Sequence, residues 1–229
     1  MKSLAIITAR GGSKRIPRKN IKLFLGQPII NYSIRAALES GCFDEVMVST
    51  DDQEIALIAQ AAGAKLPFLR SAEASSDTAT TAEVLLEVVS KYKELGQEFD
   101  LVCGIYPTAP FVTADKLHQA QQLLINSGAD SVLPVVRFSF PIQRALKITD
   151  NRLTMFWPEN QDTRSQDLES AYHDCGQFYF LTSNSLVTQK KCYTESMVPL
   201  EISELEVQDI DNEVDWQLAE LKYKFLQQK

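Results

Sequence analysis

The chain has 229 residues, is 45% hydrophobic and carries a formal net charge of -7 at pH 7. This length suits one large domain, and the negative charge argues against nonspecific binding to nucleic acid or to an anionic membrane. No apolar stretch approaches the roughly 20 residues that a membrane span needs, and the four cysteines contain no CxxC pair. We therefore expect a cytoplasmic protein with reduced thiols.

The first half of the chain alternates predicted strands with predicted helices. The apolar run 4–8 is typical of a buried parallel strand, and Pro28 opens a helical pattern that Gly41 closes. Further strands are predicted over 44–50, 99–106 and 129–136, and further helices over 52–62, 81–95 and 113–128. This order predicts a mainly parallel sheet flanked by helices, with ligands bound outside the carboxyl ends of the strands.

The second half is less regular. Residues 138–166 mix prolines, aromatic residues and short polar stretches without a helical period, which predicts an excursion of strands and loops from the main sheet. Strand character returns over 175–182, and 206–228 reads as a turn followed by a final amphipathic helix. We treat 1–229 as a single domain that carries this excursion.

A Gly-Gly turn and a dense set of cations follow the first predicted strand. Gly11 and Gly12 lack a Cβ, so backbone amides there can approach a ligand closely. The cations that follow within a few positions are Lys14, Arg15, Arg18, Lys19 and Lys22. Inward amides and cations together can bind a polyphosphate, although the G-x-x-x-x-G-K-[ST] pattern of a P-loop is absent. The alternative is a solvated basic surface loop.

The stretch ARGGSKRIPRKNIK resembles the signature of the CMP-sugar synthetases, the acylneuraminate cytidylyltransferase family. The resemblance extends through VSTDD, PTAP, RSQD and QDID, and so over nearly the whole chain. It implies a Rossmann-like nucleotidyltransferase fold, CTP as the nucleotide and Mg²⁺ as the cofactor. It also implies a set of nucleotide-binding residues: Ala9, Arg10, Gly11, Gly12, Ser13, Lys19, Asn20, Arg70, Asp77 and Thr80.

The QDID stretch places Asp209 and Asp211 two residues apart, on one side of an extended backbone. Two carboxylates suit Mg²⁺, which prefers oxygen ligands and substrate phosphates. Helix capping is the competing interpretation, because Asp211 stands just before the final predicted helix. The family places its metal on a D-x-D at this point, so we expect Asp209 and Asp211 to bind metal and Asp211 to cap the helix as well. Asp51, in contrast, is interpreted as the N-cap of the 52–62 helix.

The chemistry implied by the resemblance needs no protein nucleophile. The anomeric hydroxyl of the sugar attacks the α-phosphate of CTP, and pyrophosphate leaves in line, so catalysis consists mainly of positioning and charge neutralisation. Arg10, Lys19 and Asp211 are the expected catalytic residues.

The expected sugar is a nine-carbon 2-keto acid. The regions FSFPIQRALKI and TRSQDLESAYHDCGQFYF resemble the pseudaminate branch of the family, and Tyr106 stands where the sialic acid branch typically has a glutamine. Arg144 and Arg164 are candidates for the sugar carboxylate, because arginine binds carboxylates through two parallel hydrogen bonds. The remaining candidates for the sugar pocket are Tyr106, Gln143, His173, Asp174 and Gln177. N-acetylneuraminate and legionaminate synthetases remain alternatives.

The excursion is rich in large apolar side chains, and exposed apolar patches usually mark interfaces. The family is similarly dimeric through such an extension, so we expect a homodimer built partly from 138–166. Two other functional classes remain open: a nucleotide-binding regulator without turnover, and a guanylyl- or uridylyltransferase for neutral sugars.

Overall fold

The computed structural model describes residues 1–228. The strands of the described part are β1 (Ser3–Thr8), β2 (Leu23–Phe24), β3 (Gln27–Pro28), β4 (Glu45–Ser49), β5 (Leu101–Ile105), β6 (Ser131–Arg137), β7 (Leu146–Thr149), β8 (Arg152–Met155), β9 (Tyr172–Asp174), β10 (Phe178–Thr182) and β11 (Met197–Glu201). The α-helices are α1 (Ile30–Glu39), α2 (Gln53–Ala61), α3 (Thr81–Glu94), α4 (Ala114–Ser127), α5 (Ser183–Gln189) and α6 (Glu213–Gln227). The predicted alternation of strands and helices in the first half is confirmed.

A seven-stranded mixed sheet forms the centre of the molecule, in the order β11-β6-β10-β5-β1-β4, with β9 also paired to β6. β1 runs parallel to β4 and β5, and β11 runs parallel to β6. β10 lies between β5 and β6 and is antiparallel to both. The excursion after β6 explains this exception. The chain leaves the sheet at the carboxyl end of β6 and re-enters it on the same side, so β10 must run in the opposite direction to β6. The predicted mainly parallel sheet with flanking helices is confirmed.

Two apolar layers cover the sheet. Side chains alternate between the faces of a strand, so Ala5 and Ile7 pack with α1, α2 and α4, whereas Leu4 and Ile6 pack with α3 and α5. A third cluster forms where α6 packs under the N-terminal loop, with Ile16 against Trp216. This third cluster packs the basic loop against α6.

Two predicted helix caps are wrong by one residue. The N-cap of α2 is Asp52, whose side chain accepts the N–H groups of Glu54 and Ile55, so Asp51 is free for another role. The N-cap of α6 is Asn212, which forms a capping box with Asp215, so Asp211 does not cap that helix. An N-cap is the residue immediately before the first helical residue. Because α2 begins at Gln53 and α6 at Glu213, the N-caps are Asp52 and Asn212, one residue after the predicted Asp51 and Asp211. Thr113 caps α4 as predicted.

The excursion carries an isolated hairpin. In the described part of the chain, β7 and β8 pair only with each other. The turn residues Asp150 and Asn151 adopt φ values of 50° and 58°, which aspartate and asparagine tolerate. Phe140 is 82% exposed, Ile148 73% and Leu153 65%. A hairpin with this much exposed apolar surface has no core of its own in the single chain.

Within residues 1–228, none of the helices combines the length and the apolar composition of a membrane-spanning segment.

Candidate active site

The basic loop begins where β1 ends and is fixed to the neighbouring β4–α2 connection. The N–H of Ala9 donates to the carbonyl of Ser49 at 2.9 Å, and the N–H of Gly11 donates to Asp51 Oδ1 at 2.8 Å. A Cβ on Gly11 would lie 2.8 Å from Asp52 Oδ2 and 3.0 Å from Asp52 Cβ, so a side chain there would require the loop to move. Gly11 therefore permits close packing, whereas a Cβ on Gly12 would meet no atom of the described residues within 4 Å.

A cavity of about 540 Å³ opens beside this loop. Its lining residues come from the ends of β1 and β5, the basic loop and the segment before α3, and they include Thr8, Arg10, Gly12, Ser13, Lys14, Arg15, Lys19, Asn20, Arg70, Ser76, Asp77, Thr81, Tyr106 and Thr108. The cavity thus lies at the carboxyl edge of the parallel strands, where ligands bind in such sheets. Five cationic residues line the cavity, four of them from the basic loop, and this charge suits a polyanion.

Two buried polar residues shape the floor of the cavity. Asn20 Nδ2 donates to the carbonyl of Arg10 at 2.8 Å and so fixes the loop. The guanidinium of Arg70 donates to Ser49 Oγ at 2.9 Å and to the Ser49 carbonyl at 2.5 Å. Burial lowers the pKa of Arg70 to about 10, which still leaves it charged at neutral pH.

One carboxylate on the cavity wall faces two of the cations. Asp77 Oδ1 accepts from Arg10 Nη1 at 2.8 Å, and Asp77 Oδ2 accepts from Lys14 Nζ.

Thr80, a predicted nucleotide-binding residue, is the N-cap of α3 and forms a capping box with Glu83. Thr80 is absent from the residues that line the cavity in the described part of the chain, whereas its neighbour Thr81 lines it.

Lys19 connects the cavity to the acidic pair before α6. Its Nζ donates to the Ile210 carbonyl at 2.6 Å and lies 3.9 Å from Asp211 Oδ1. The same Asp211 oxygen forms an ion pair with Arg15 Nη2 at 2.7 Å. Burial lowers the pKa of Lys19. Loss of water raises the pKa of Asp209, and the neighbouring Asp211 raises it further. Lys19 and Arg15 of the N-terminal loop thus lie against Ile210 and Asp211, which precede the last helix.

The predicted sugar-pocket residues fall into two groups. Tyr106, Asp174 and Gln177 lie at the carboxyl edge of β5 and around the start of β10. Tyr106 lines the cavity, and its hydroxyl lies 3.1 Å from Thr81 Oγ1. Gln177 is 3% exposed, donates from Nε2 to the Glu206 carbonyl, and leaves its buried Oε1 without a partner among the described residues.

Asp174 is the centre of a hydrogen-bonded cluster that the sequence does not reveal. Its carboxylate accepts the N–H of Gly176 at 2.7 Å and the hydroxyls of Tyr179 and Tyr193. The Tyr179 ring lies 5.9 Å from that of Tyr106 and 6.0 Å from that of Tyr193. Period-two alternation places Tyr179 on the α3 face of β10, but no local pattern indicates that Tyr193 reaches the same carboxylate.

The other candidates lie in the excursion and its stem. Gln143 donates to the Glu169 carbonyl, Arg144 lies 3.4 Å from Ser165 Oγ, and Arg164 pairs with Asp167 at 2.8 Å. His173 Nδ1 lies 2.9 Å from the Asp174 carbonyl oxygen, and its ring contacts Phe138. These four side chains are absent from the lining of the cavity in the described part of the chain, so one chain alone does not bring them to the phosphate site.

Comparison with known proteins places this fold among the nucleotidyltransferases. The structure superposes on that of a CMP:2-keto-3-deoxy-manno-octonic acid synthetase complexed with CTP, with a TM-score of 0.72, 18% identity and complete coverage of both chains. The cytidylyltransferase family model matches residues 4–213, and the chain belongs to that family.

Two curated relatives match over nearly their full lengths. A pseudaminic acid cytidylyltransferase of Campylobacter jejuni is 42% identical, over 98% of this chain and 97% of the relative. A CMP-N,N'-diacetyllegionaminic acid synthase of Legionella pneumophila is 34% identical, over 96% of this chain and 95% of the relative.

Proposed function

We propose that this enzyme transfers CMP from CTP to pseudaminic acid and releases pyrophosphate. The observation that carries this proposal is the cationic cavity beside Gly12, which Lys19 joins to the Asp209–Asp211 pair. The higher identity to the pseudaminate relative than to the legionaminate relative supports the choice of sugar.

The triphosphate of CTP occupies the cavity in this proposal. Arg10, Lys14 and Lys19 neutralise its charge, and the open position at Gly12 lets the backbone approach the phosphates. The same cations stabilise the charge that develops on the departing pyrophosphate. Asn20 and Arg70 hold the loop and the β4 edge in place through their buried hydrogen bonds.

Asp209 and Asp211 form the proposed magnesium site. The donor set fits, because both groups are hard oxygen ligands and Mg²⁺ commonly binds one or two carboxylates together with substrate phosphates. The raised pKa of Asp209 also reflects the cost of holding two negative charges together, a cost that a cation relieves. Residues 1–228 offer no group of three or more potential His, Cys, Asp or Glu ligands, so substrate and water oxygens complete the site. When bound, the ion draws charge from the phosphates and orients them for in-line attack.

The sugar is proposed to lie between the cavity and the Asp174 cluster. Tyr106 faces the cavity, and Gln177 Oε1 is a buried acceptor that has no donor within residues 1–228. The carboxylate of the sugar needs a cation, and Arg144 and Arg164 are the candidates, with exposed side chains on the excursion. We propose a homodimer in which the excursion of one chain brings one of these arginines to the site of the other.

Pyrophosphate release tests the function directly. The protein is incubated with CTP and Mg²⁺ and, in separate reactions, with pseudaminate, N-acetylneuraminate or N,N'-diacetyllegionaminate. We expect pseudaminate to be preferred over N-acetylneuraminate by at least about tenfold, since one mispaired buried polar group costs this much. A preference for one of the other two sugars overturns the choice of sugar and keeps the cytidylyl transfer. Pyrophosphate formation with none of them, while CTP still binds, indicates a nucleotide-binding regulator.

A further inference from the structure

Asp77 lines the cavity and pairs with two of its cations. Its side chain is 54% exposed and belongs to the irregular segment between α2 and α3. Both carboxylate oxygens are used on cations of the basic loop: Oδ1 on Arg10 and Oδ2 on Lys14. Arg10 Nη1 also donates to the Ser76 carbonyl at 3.1 Å, so the segment and the loop are joined at this point.

An ionised carboxylate cannot donate a hydrogen bond to a phosphate. The pKa of Asp77 is lowered, first by the hydrogen bond from Lys14 and then by that from Arg10, so the group is ionised at neutral pH. Asp77 therefore offsets part of the positive charge of Arg10 and Lys14 and repels the phosphates of a nucleotide. Asp77 and the phosphates thus compete for the charge of the same two cations.

The segment is attached in a way that permits Asp77 to move. On one side, Ser71 is fixed by its N–H and hydroxyl to Glu87 on α3. On the other side, Thr80 is fixed as the N-cap of that helix. Between these anchors, the side chain of Asp77 is held only by the two loop cations among the described residues. Neither of these two contacts involves α3 or a strand of the sheet.

We propose that Asp77 is an internal competitor of the phosphates: it neutralises Arg10 and Lys14 in the empty enzyme, yields them to the triphosphate, and returns to them as pyrophosphate leaves. This inference rests on the proposed function only in that the cavity binds phosphates. Competition by Asp77 would favour product release. Pyrophosphate carries more charge per atom than the CMP-sugar, so it is the product that the cations would retain more strongly. Asp77 thus weakens the binding of pyrophosphate to Arg10 and Lys14.

Binding of inorganic pyrophosphate tests this without turnover. Isothermal titration calorimetry at low ionic strength and neutral pH, without sugar or nucleotide, compares the parent with Asp77→Asn, Asp77→Glu, Glu73→Gln and Arg10→Ala. Asp77→Asn should lower the Kd for pyrophosphate by at least about threefold. The variant no longer forms the exposed ion pairs with Arg10 and Lys14 that pyrophosphate must replace, and such pairs are of modest strength. Asp77→Glu keeps the charge and should stay closer to the parent. Glu73→Gln is the matched control, because Glu73 lies exposed in the same segment and forms no ion pair within residues 1–228.

The outcomes separate this inference from the proposed function. If Arg10→Ala binds pyrophosphate as tightly as the parent, the phosphate site itself is misplaced. If Arg10→Ala weakens binding but Asp77→Asn leaves it unchanged or weakens it, Asp77 orders the cations rather than competing for them, and the inference is wrong. An equal gain in Asp77→Asn and Glu73→Gln reduces the effect to net charge and also overturns it. In steady-state assays, Asp77→Asn should in addition show product inhibition at a pyrophosphate concentration at least about threefold lower than the parent.

Discussion

Lys19 Nζ donates to the carbonyl oxygen of Ile210 at 2.6 Å, and this bond joins the N-terminal loop to the segment before α6 across 191 residues. The same ammonium lies 3.9 Å from Asp211 Oδ1 and lines the phosphate cavity. One side chain therefore contacts both halves of the candidate active site.

Removal of either proposed phosphate ligand should impair turnover. Charge-assisted contacts are worth about 1.5–3 kcal/mol each, so Arg10→Ala and Lys19→Ala should each lower kcat/KM for CTP at least about tenfold. Lys22→Ala is the control from the same loop, because Lys22 pairs with Glu213 and lies over the Trp216 ring. Values for Arg10→Ala and Lys19→Ala within twofold of the parent contradict the assignment. Thermal unfolding shows how much of the Lys19 effect comes from the lost bond to Ile210.

Asp211 and Asn212 are adjacent residues with separable effects. Asn212→Ala removes the cap of α6 and should cost about 0.5–2 kcal/mol of unfolding free energy. Asp211→Ala and Asp209→Ala should instead remove most activity with a smaller loss of stability. Chemical denaturation and Mg²⁺-dependent pyrophosphate release measure the two effects. Full activity in EDTA, or equal loss of stability at positions 211 and 212, is the contrary result.

The sequence predicts those parts of the fold that depend on local pattern. Apolar runs and helical periods locate the parallel strands and their helices, and the Gly-Gly turn after β1 locates the cavity, because ligand sites in such sheets follow strand ends. The antiparallel insertion of β10 is not predictable in this way. It depends on where the excursion leaves and re-enters the sheet, which is a property of the whole chain.

The unpredicted parts of the candidate site are contacts over long sequence separations. Asp77 pairs with Arg10 and Lys14, which lie more than 60 positions away in the sequence. The local sequence around an acidic residue before a helix does not show whether that residue caps the helix or pairs with a distant cation. Asp51 illustrates the ambiguity: it precedes α2, yet its carboxylate accepts the N–H of Gly11. Local pattern can place such a residue at an edge of the sheet but cannot choose its partner.

The excursion should form the dimer interface. Ile148 and Leu153 are paired across the hairpin, and both are exposed, so Ile148→Asp would place a charge inside the proposed interface. We expect the parent to show a dimeric mass by light scattering at micromolar concentration and Ile148→Asp to show a monomeric one. Leu57→Asp is the control, since Leu57 on α2 is 66% exposed and lies outside the excursion. A monomeric parent contradicts the prediction.

Asp174 should influence sugar binding and stability in distinguishable ways. Asp174→Ala leaves the Tyr179 hydroxyl, on a side chain that is 6% exposed, without its acceptor, which should cost about 1–3 kcal/mol of stability. Asp174→Asn keeps an acceptor oxygen and should retain most of that stability. If the carboxylate belongs to the sugar pocket, Asp174→Asn raises KM for the sugar and leaves KM for CTP unchanged. A parallel change in both constants assigns Asp174 a purely structural role.

Asp52 should make the stability of the protein depend on pH in the acid range. The hydrogen bonds from Arg18 lower its pKa to about 2, with a further contribution from the N–H of Ile55. An ordinary unfolded aspartate has a pKa of about 3.9. Because the folded pKa is the lower one, the stabilisation is fully present above about pH 4 and is lost as the pH falls towards 2. Chemical denaturation at pH 5 and at pH 2.5 should therefore show a smaller pH-dependent loss for Asp52→Asn than for the parent. Glu54→Gln, which removes only the exposed second partner of Arg18, should behave more like the parent, and equal losses in all three proteins contradict the role of Asp52.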